Sequence, residues 1–209
     1  MLRCISHLIG LRVLRLSWTR ITGAGLGHLR WHVGLRALDL SVTSVADDGL
    51  ALLRRLTDLR ELNLSWTRIT DAGLEHLRTL TELHTLDLRH TRISRAGLAH
   101  LSALRNLRKL HLSYTRVGNT GLEHLAVLSQ LELLDLSHTR LTDKGLAKLR
   151  AMAALRQLDL RGTRISDAGL IHLSTLSALR ELKLQPGTSA VSDAGIVTLG
   201  GALPNCSVF

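Results

Sequence analysis

The sequence predicts an α/β solenoid, a curved stack of similar units with parallel strands on the concave face and helices on the convex face. The first observation is a period of 24 residues along a chain of 209. The others are a Leu-x-Leu alternation early in each unit and leucines three residues apart late in it. No unit can bury its apolar side alone, so the units must stack. The period is marked by Leu11, Leu35, Leu59, Leu83, Leu107, Leu131, Leu155 and Leu179.

Each unit is predicted to begin with a short strand and a turn. In the unit that starts at Leu59, Leu62 and Leu64 alternate with a polar residue, which is typical of a strand with one buried face. A threonine follows at the ninth position, where we expect its hydroxyl to satisfy backbone groups of a buried turn. This column comprises Thr19, Thr43, Thr67, Thr91, Thr115, Thr139 and Thr163.

A helix is predicted to follow the turn. In the same unit Thr70 and Asp71 would supply an N-cap hydroxyl and a first-turn acid. Leu74 and the leucines three and six residues later form one apolar stripe. The fifteenth residue, here Gly73, is glycine in all eight units. We expect a side chain at that position to press the helix off the sheet.

The chain is expected to form a single domain over residues 1–209. Its predicted parts are a partial first repeat (1–10), seven 24-residue repeats (11–178) and an irregular last repeat with a closing strand (179–209). Cys206 and Val208 are assigned to that last strand. The irregularity is a two-residue insertion around Pro186 and Gly187.

The beginning of the chain continues the helix phase of a preceding repeat, through Leu2, Ile5 and Leu8. No polar capping element precedes the first strand. We therefore predict that the end near Val13 to Leu16 is covered by a partner, by a second copy of the chain, or by sequence missing from it.

Composition limits the class of protein. Apolar residues make up 45% of the chain and aromatic residues only 2%, so the core must consist of Leu, Ile, Val and Ala. No apolar run approaches the roughly 18 residues needed to cross a bilayer. Arg12 and Arg15 interrupt any signal-peptide core. The only cysteines, Cys4 and Cys206, are too few for a disulfide framework. We expect a cytoplasmic protein.

The formal charge of +10 is unevenly distributed. Positions 2, 3, 5, 7 and 10 of the repeat carry 17 Lys or Arg and 7 Asp or Glu, and all other positions carry 10 of each sign. The whole excess therefore lies on the strand face and its rim, which composition alone does not predict. An alternative is a solvated rim in which arginines at position 2 pair with acids at position 5, namely Asp39, Asp87, Asp135 and Asp159.

Two columns on this rim are the candidate binding site. The arginine column, at position 10, comprises Arg20, Arg68, Arg92, Arg116, Arg140 and Arg164, with Ser44 in the second unit. The ring column, at position 8, comprises Trp18, Trp66, His90, Tyr114 and His138, with Val42 and Gly162 at the other two units. Aromatic residues beside arginine are favoured at interaction hot spots. The alternative is that the rings lie flat on neighbouring loops.

Patterns suggestive of chemistry have structural explanations. The run Gly23 to Gly27 has the spacing G-x-G-x-G rather than G-x-G-x-x-G. His28 and His32 lack the Glu of H-E-x-x-H, and His28 belongs to a column on successive helices, too widely spaced to share a zinc ion. That column comprises His28, His76, His100, His124 and His172. No residue departs from its column as a catalytic residue should. We expect no catalytic residue, no metal and no cofactor.

The chain resembles the leucine-rich repeat family through L-x-x-L-x-L, as in Leu59, Leu62 and Leu64, over essentially its whole length. The I-T-D-A-G-L phrase is similar to bacterial repeats and to the cysteine-containing subclass found beside F-boxes. Threonine replaces the usual Asn or Cys at the ninth position. The resemblance implies a curved scaffold that acts as a binding surface.

Three functions are compatible with these observations. The first is a non-catalytic protein-interaction module that binds an acidic partner through its concave face and the two rim columns. The second is binding of nucleic acid or another polyanion by the arginine column. The third, by analogy with F-box relatives, is the substrate-receptor part of a ubiquitin-ligase-like assembly.

Overall fold

The structure is a computed structural model that describes residue 5, residues 7–185 and residues 190–209. The sequence expectations for Leu2, Cys4, Pro186 and Gly187 lie outside this part. The described residues contain one sheet of nine strands, all parallel to their neighbours and in chain order. Helical segments connect successive strands. The predicted α/β solenoid is confirmed.

The strands are short and keep the 24-residue register. Leu14 pairs with Leu38, Leu38 with Leu62, and so on along the sheet. The strands are β1 (Val13–Arg15), β2 (Ala37–Asp39), β3 (Glu61–Asn63), β4 (Thr85–Asp87), β5 (Lys109–His111), β6 (Leu133–Asp135), β7 (Gln157–Asp159), β8 (Glu181–Lys183) and β9 (Ser207–Val208).

The helices are shorter and tighter than the sequence predicts. Most units have one α-helical turn followed by a 3₁₀ segment, which has three residues per turn and so suits leucines spaced by three. The α-helices are α1 (Gly23–Leu26), α2 (Asp47–Ala51), α3 (Asp71–Leu74), α4 (Arg95–His100), α5 (Asp143–Leu146), α6 (Asp167–Leu170) and α7 (Asp193–Ala202). The 3₁₀ segments are Gly27–Leu29, Glu75–Leu77, Leu101–Ala103, Asn119–His124, Ala147–Ala151 and Ile171–Leu173.

A single aliphatic core runs between the sheet and the helical segments. Its members are leucines with a few Ile, Val and Met residues, and most are fully inaccessible to solvent. Each leucine column contributes one side chain per unit, for example Leu62, Leu64 and Leu74. The described core contains no aromatic side chain, as the composition predicts.

The threonine column has the predicted role. In the third unit Thr67 Oγ1 donates to the carbonyl oxygen of Leu64 at 2.5 Å, and Thr67 is buried. The other threonines donate to the carbonyl three residues earlier in the same way. The hydroxyls thus satisfy a buried carbonyl in each turn.

The predicted helix cap is wrong for Thr70 but is confirmed for Ser192, whose hydroxyl oxygen accepts the N–H of Gly195 at 3.2 Å. Thr70 occupies the N-cap position but its side chain makes no cap hydrogen bond to its own helix. Instead its N–H and hydroxyl both donate to the carboxylate of Asp47, in the preceding unit, at 2.8 and 2.5 Å. Asp71 in turn accepts from the N–H and hydroxyl of Ser94. The acid at position 13 therefore links one unit to the next.

This link explains why position 15 is glycine, and the explanation differs from the predicted one. A Cβ on Gly73 would collide with the Asp47 carboxylate, and a Cβ on Gly97 would collide with that of Asp71. The close neighbour is thus the preceding unit and not the sheet. Glycine makes room for the inter-unit carboxylate at Gly73, Gly97, Gly169 and Gly195, whereas an added Cβ at Gly49 and Gly121 would meet other atoms of the preceding unit.

The two ends of the sheet differ. At one end β9 pairs with Glu181 and Leu182, with Cys206 half-buried beside it. At the other end β1 pairs only with β2 among the described residues, and Val13 is 45% exposed. The covering of this edge by a partner or a second copy stays a prediction.

Candidate functional site

The turn after each strand positions the ring column. In the third unit Asn63 accepts the N–H of Ser65, which closes a tight side-chain turn. Trp66 then adopts a left-handed backbone with φ of 57°. Its N–H donates to the carbonyl of Arg89 in the next unit at 2.9 Å. Every described residue of the column has this positive φ, from Trp18 (60°) to the last, Gly162 (65°). The column therefore projects from one repeated backbone shape.

The rings of this column stack on one another. Trp66 and His90 have ring centroids 3.6 Å apart, His90 and Tyr114 are 4.2 Å apart, and Tyr114 and His138 are 4.3 Å apart, with interplanar angles of 14–17°. His138 lies against the backbone of Gly162, where an added Cβ would strike its ring. The predicted alternative, rings flat on neighbouring loops, is wrong for Trp66, His90 and Tyr114, which lie on rings of the next unit, but it describes His138. Each ring covers the faces of its neighbours and exposes its edge.

The stack also affects protonation. Burial lowers the pKa of His90, and the nearby Arg89 and His138 lower it further. The His90 imidazole is consequently neutral at pH 7, in keeping with its position between two rings. Trp66 and Tyr114 remain 57% and 50% exposed, which leaves their edges accessible at the rim.

The arginine column runs parallel to the stack, two residues further along each unit. Arg92 N–H donates to the carbonyl of Ile69 at 3.1 Å, and Arg116 N–H donates to that of Ile93 at 2.8 Å, so the backbone of the column is tied from unit to unit. All six side chains are exposed. Within the described part of the chain, none of them makes a hydrogen bond or ion pair through its guanidinium. The column is a row of cations without protein counter-ions.

The acids at position 5 have partners other than those proposed from the sequence. Asp87 and Asp159 are paired with Arg89 and Arg161 at position 7, each at 2.6 Å, and not with arginines at position 2. The position-2 side chain of Arg108 pairs with Glu132 instead, at 2.9 Å. The pairing alternative is therefore wrong in its partners. Arg89 and Arg161 were missed as ion-pair residues, although their two-residue spacing from the acid could have indicated them.

Asp135 occupies the same position without an arginine. Burial acts to raise the pKa of its carboxyl, but His111, whose Nδ1 lies 3.9 Å away, the hydrogen bonds from Ser137 and the nearby Ser113 outweigh burial and lower the pKa to about 2. Ser137 donates its N–H and its hydroxyl at 3.0 and 2.7 Å. Asp87 and Asp159 are thus balanced by arginines of their own turns, whereas Asp135 is ionised at pH 7 and has no arginine partner among the described residues.

The helix side has contacts of its own. In the histidine column Arg54 donates to His76 Nδ1, and Arg150 donates to His172 Nδ1, both at 2.6 Å. Within the described ranges, no group of three or more His, Cys, Asp or Glu residues could hold a metal ion.

The inter-unit link was also missed, although the sequence carries a signal for it. Wherever position 13 is Asp or Asn, position 12 of the next unit is Ser or Thr. At two junctions both residue types are absent together. Position 13 is Gly23 where position 12 of the next unit is Ala46, and it is Arg95 where position 12 of the next unit is Gly118. A paired loss of this kind within one chain indicates a contact.

Comparison with known proteins agrees with this architecture. Internalin C2 from Listeria monocytogenes has a similar crystal structure, with a TM-score of 0.75 and 27% identity over 94% of this chain and 79% of that one. A leucine-rich repeat protein from Leptospira interrogans has a TM-score of 0.60 and 17% identity over 98% of this chain and 62% of that one. No curated protein matches the chain. Over the described residues no helix has both the length and the apolar character needed to cross a membrane.

The family comparison covers most of the chain. Residues 26–200 match the family described as a leucine-rich repeat region. Scaffolds of this kind are typically non-catalytic and serve as protein-interaction modules. The units, their register and this match lead to one conclusion: the chain belongs to the leucine-rich repeat family.

Proposed function

We propose that the protein is a non-catalytic interaction module that binds an acidic protein partner along the rim formed by the arginine column and the ring column, with the adjoining concave face. The observation that carries the proposal is the row of guanidiniums without ion-pair partners in the described residues. Neighbouring strands lie about 4.8 Å apart, and unit charges about 5 Å apart repel by roughly 0.8 kcal/mol per pair in water. A bound anionic surface relieves that repulsion.

The stacked rings favour a protein over a nucleic acid as the partner. Single-stranded nucleic acids bind aromatic side chains by placing bases on ring faces. Between Trp66 and His138 those faces are already covered by neighbouring rings at 3.6–4.3 Å. The exposed edges suit side-chain contacts.

The test compares a column variant with a charge-matched control. The column variant carries Arg68→Glu, Arg92→Glu and Arg116→Glu. The control carries Arg78→Glu, Arg105→Glu and Lys148→Glu, which are exposed residues of the helix side with the same change in net charge. Binding of fluorescent poly-glutamate and of a thymine oligonucleotide is measured by anisotropy over a range of salt concentrations.

Poly-glutamate is expected to bind the parent and the control alike and to lose at least tenfold in affinity with the column variant. If poly-glutamate binds the column variant and the control equally well, the arginine column is not the binding site. Tighter binding of the oligonucleotide than of poly-glutamate, with a log–log salt slope of several units, would instead support the nucleic-acid alternative. No observation favours the substrate-receptor alternative, which stays a prediction.

A further inference from the structure

The ring column has one gap. The stack is closed at one end, where His138 covers the backbone of Gly162. Beyond its other end, at Trp66, the next residue of the column is Val42, and Trp18 stands one unit further. Trp18 is 82% exposed and makes no ring contact within the described residues. One aromatic side chain is therefore missing from an otherwise continuous column.

Val42 differs from its neighbours in the column only in its side chain. Its backbone has the same left-handed conformation, with φ of 54°. Its N–H donates to the carbonyl oxygen of Ser65 in the next unit at 2.9 Å, and the N–H of Trp66 makes the same kind of bond to Arg89. A valine side chain is shorter than an indole, so the repeated backbone conformation predicts a slot with Val42 as its floor and Trp18 and Trp66 as its walls.

The width of the slot matches one planar group. Neighbouring rings in the stack are 3.6–4.3 Å apart. Two steps of this size place the rings of Trp18 and Trp66 roughly 7–9 Å apart, consistent with two strand spacings at the backbone. A ring inserted midway lies about 4 Å from each wall, within the range of stacked aromatic pairs.

The surroundings of the slot are cationic on both sides. Arg20 and Arg68 follow the two wall residues, and neither guanidinium has a protein partner in the part of the chain that the structure describes. The unit of the floor residue carries Ser44 in place of the column arginine. The unit that lacks the ring thus also lacks the cation. An aromatic group with negative charge on either side complements this arrangement.

We propose that the slot between Trp18 and Trp66, above Val42, binds one aromatic side chain of the partner, with flanking carboxylates on Arg20 and Arg68. This inference rests on the proposed function, because it takes the partner to be an acidic protein. The slot admits a single ring, which suits an isolated aromatic side chain in an acidic segment better than a run of nucleobases.

The test uses two labelled peptides, Asp-Asp-Phe-Asp-Asp and the same sequence with Leu at its centre. The parent protein is expected to bind the Phe peptide about tenfold more tightly, because the ring gains two stacked faces. Val42→Trp should abolish this preference by filling the slot. Tryptophan already occupies the same backbone conformation at Trp18 and Trp66, so the variant is compatible with the fold.

Trp18→Ala provides a second variant, since it removes one wall at an exposed position. It should lower the ratio of the affinity for the Phe peptide to the affinity for the Leu peptide towards one. Equal binding of both peptides to the parent protein would overturn the slot and leave the proposed function intact. Failure of both peptides to bind would overturn the two together. A preference for Phe that survives Val42→Trp would place the aromatic contact elsewhere.

Discussion

The link between successive units can be tested at Asp71. Its carboxylate accepts the N–H and the hydroxyl of Ser94 at 2.7 and 2.5 Å, and both residues are partly buried. Hydrogen bonds to an ionised group contribute about 1.5 kcal/mol or more each, and leaving the donors unsatisfied costs a similar amount. Asp71→Ala is therefore expected to lower the free energy of unfolding by about 2–3 kcal/mol.

A matched control is available at Asp193. This residue starts α7 at the same position of its unit, but it has no side-chain hydrogen bond to a following unit in the described residues. Asp193→Ala removes a first-turn acid without removing a link, so it measures the helix-dipole contribution, about 0.3–1 kcal/mol. Urea unfolding followed by circular dichroism compares the two variants. If Asp71→Ala lies within about 0.5 kcal/mol of Asp193→Ala, the link does not stabilise the stack and the reasoning fails.

The junction that lacks the link allows the reverse experiment. Gly118 has an extended backbone, and a Cβ there would make only ordinary contacts, the nearest 3.7 Å away. The double change Arg95→Asp with Gly118→Ser should recreate the pair seen at Asp71 and Ser94. We expect it to raise stability by about 1 kcal/mol more than the sum of the single changes. Additive effects would contradict the role assigned to the carboxylate.

Two further outcomes follow from backbone strain and from protonation. Val42→Asn should stabilise the protein by about 1 kcal/mol in urea unfolding, because a β-branched residue is strained at φ of 54° and Asn tolerates that conformation; the same change at Val13, in a strand, should destabilise it. The pKa of the Asp135 carboxyl is lowered from its usual value of 3.8 to about 2 in the folded protein. The ionised carboxylate therefore stabilises the fold at pH values above 3.8, and this contribution should fade as the pH falls from about 4 towards 2. Asp135→Asn keeps the turn, since Asn63 accepts the same hydrogen bond in its own unit, and should flatten the pH dependence of stability over that range by roughly 1–2 kcal/mol. If the pH dependence of stability between about pH 4 and 2 is the same in Asp135→Asn as in the parent protein, the pKa of the Asp135 carboxyl is not lowered by folding.

The sequence by itself determined the solenoid, its register and the buried threonine turns. The reason is repetition: when identical units stack, a residue in one unit must neighbour its counterpart in the next, so columns read from the sequence become columns in space. The parallel sheet with Leu38 opposite Leu62 and the hydroxyl of Thr67 on the carbonyl of Leu64 both follow from this rule. The strict spacing of three is also compatible with the 3₁₀ segments, but the sequence analysis predicted a longer helix.

Only the tertiary structure decided which atoms meet between columns. Asp47 reaches Thr70 across a unit boundary, and Asp87 pairs with the guanidinium of Arg89, whose N–H also donates to the same carboxylate. The stacking of Trp66 on His90 depends on the direction that the left-handed backbone conformation imposes on each side chain. Such contacts depend on distances and angles of a few tenths of an ångström and a few degrees, which a column of residue names does not contain.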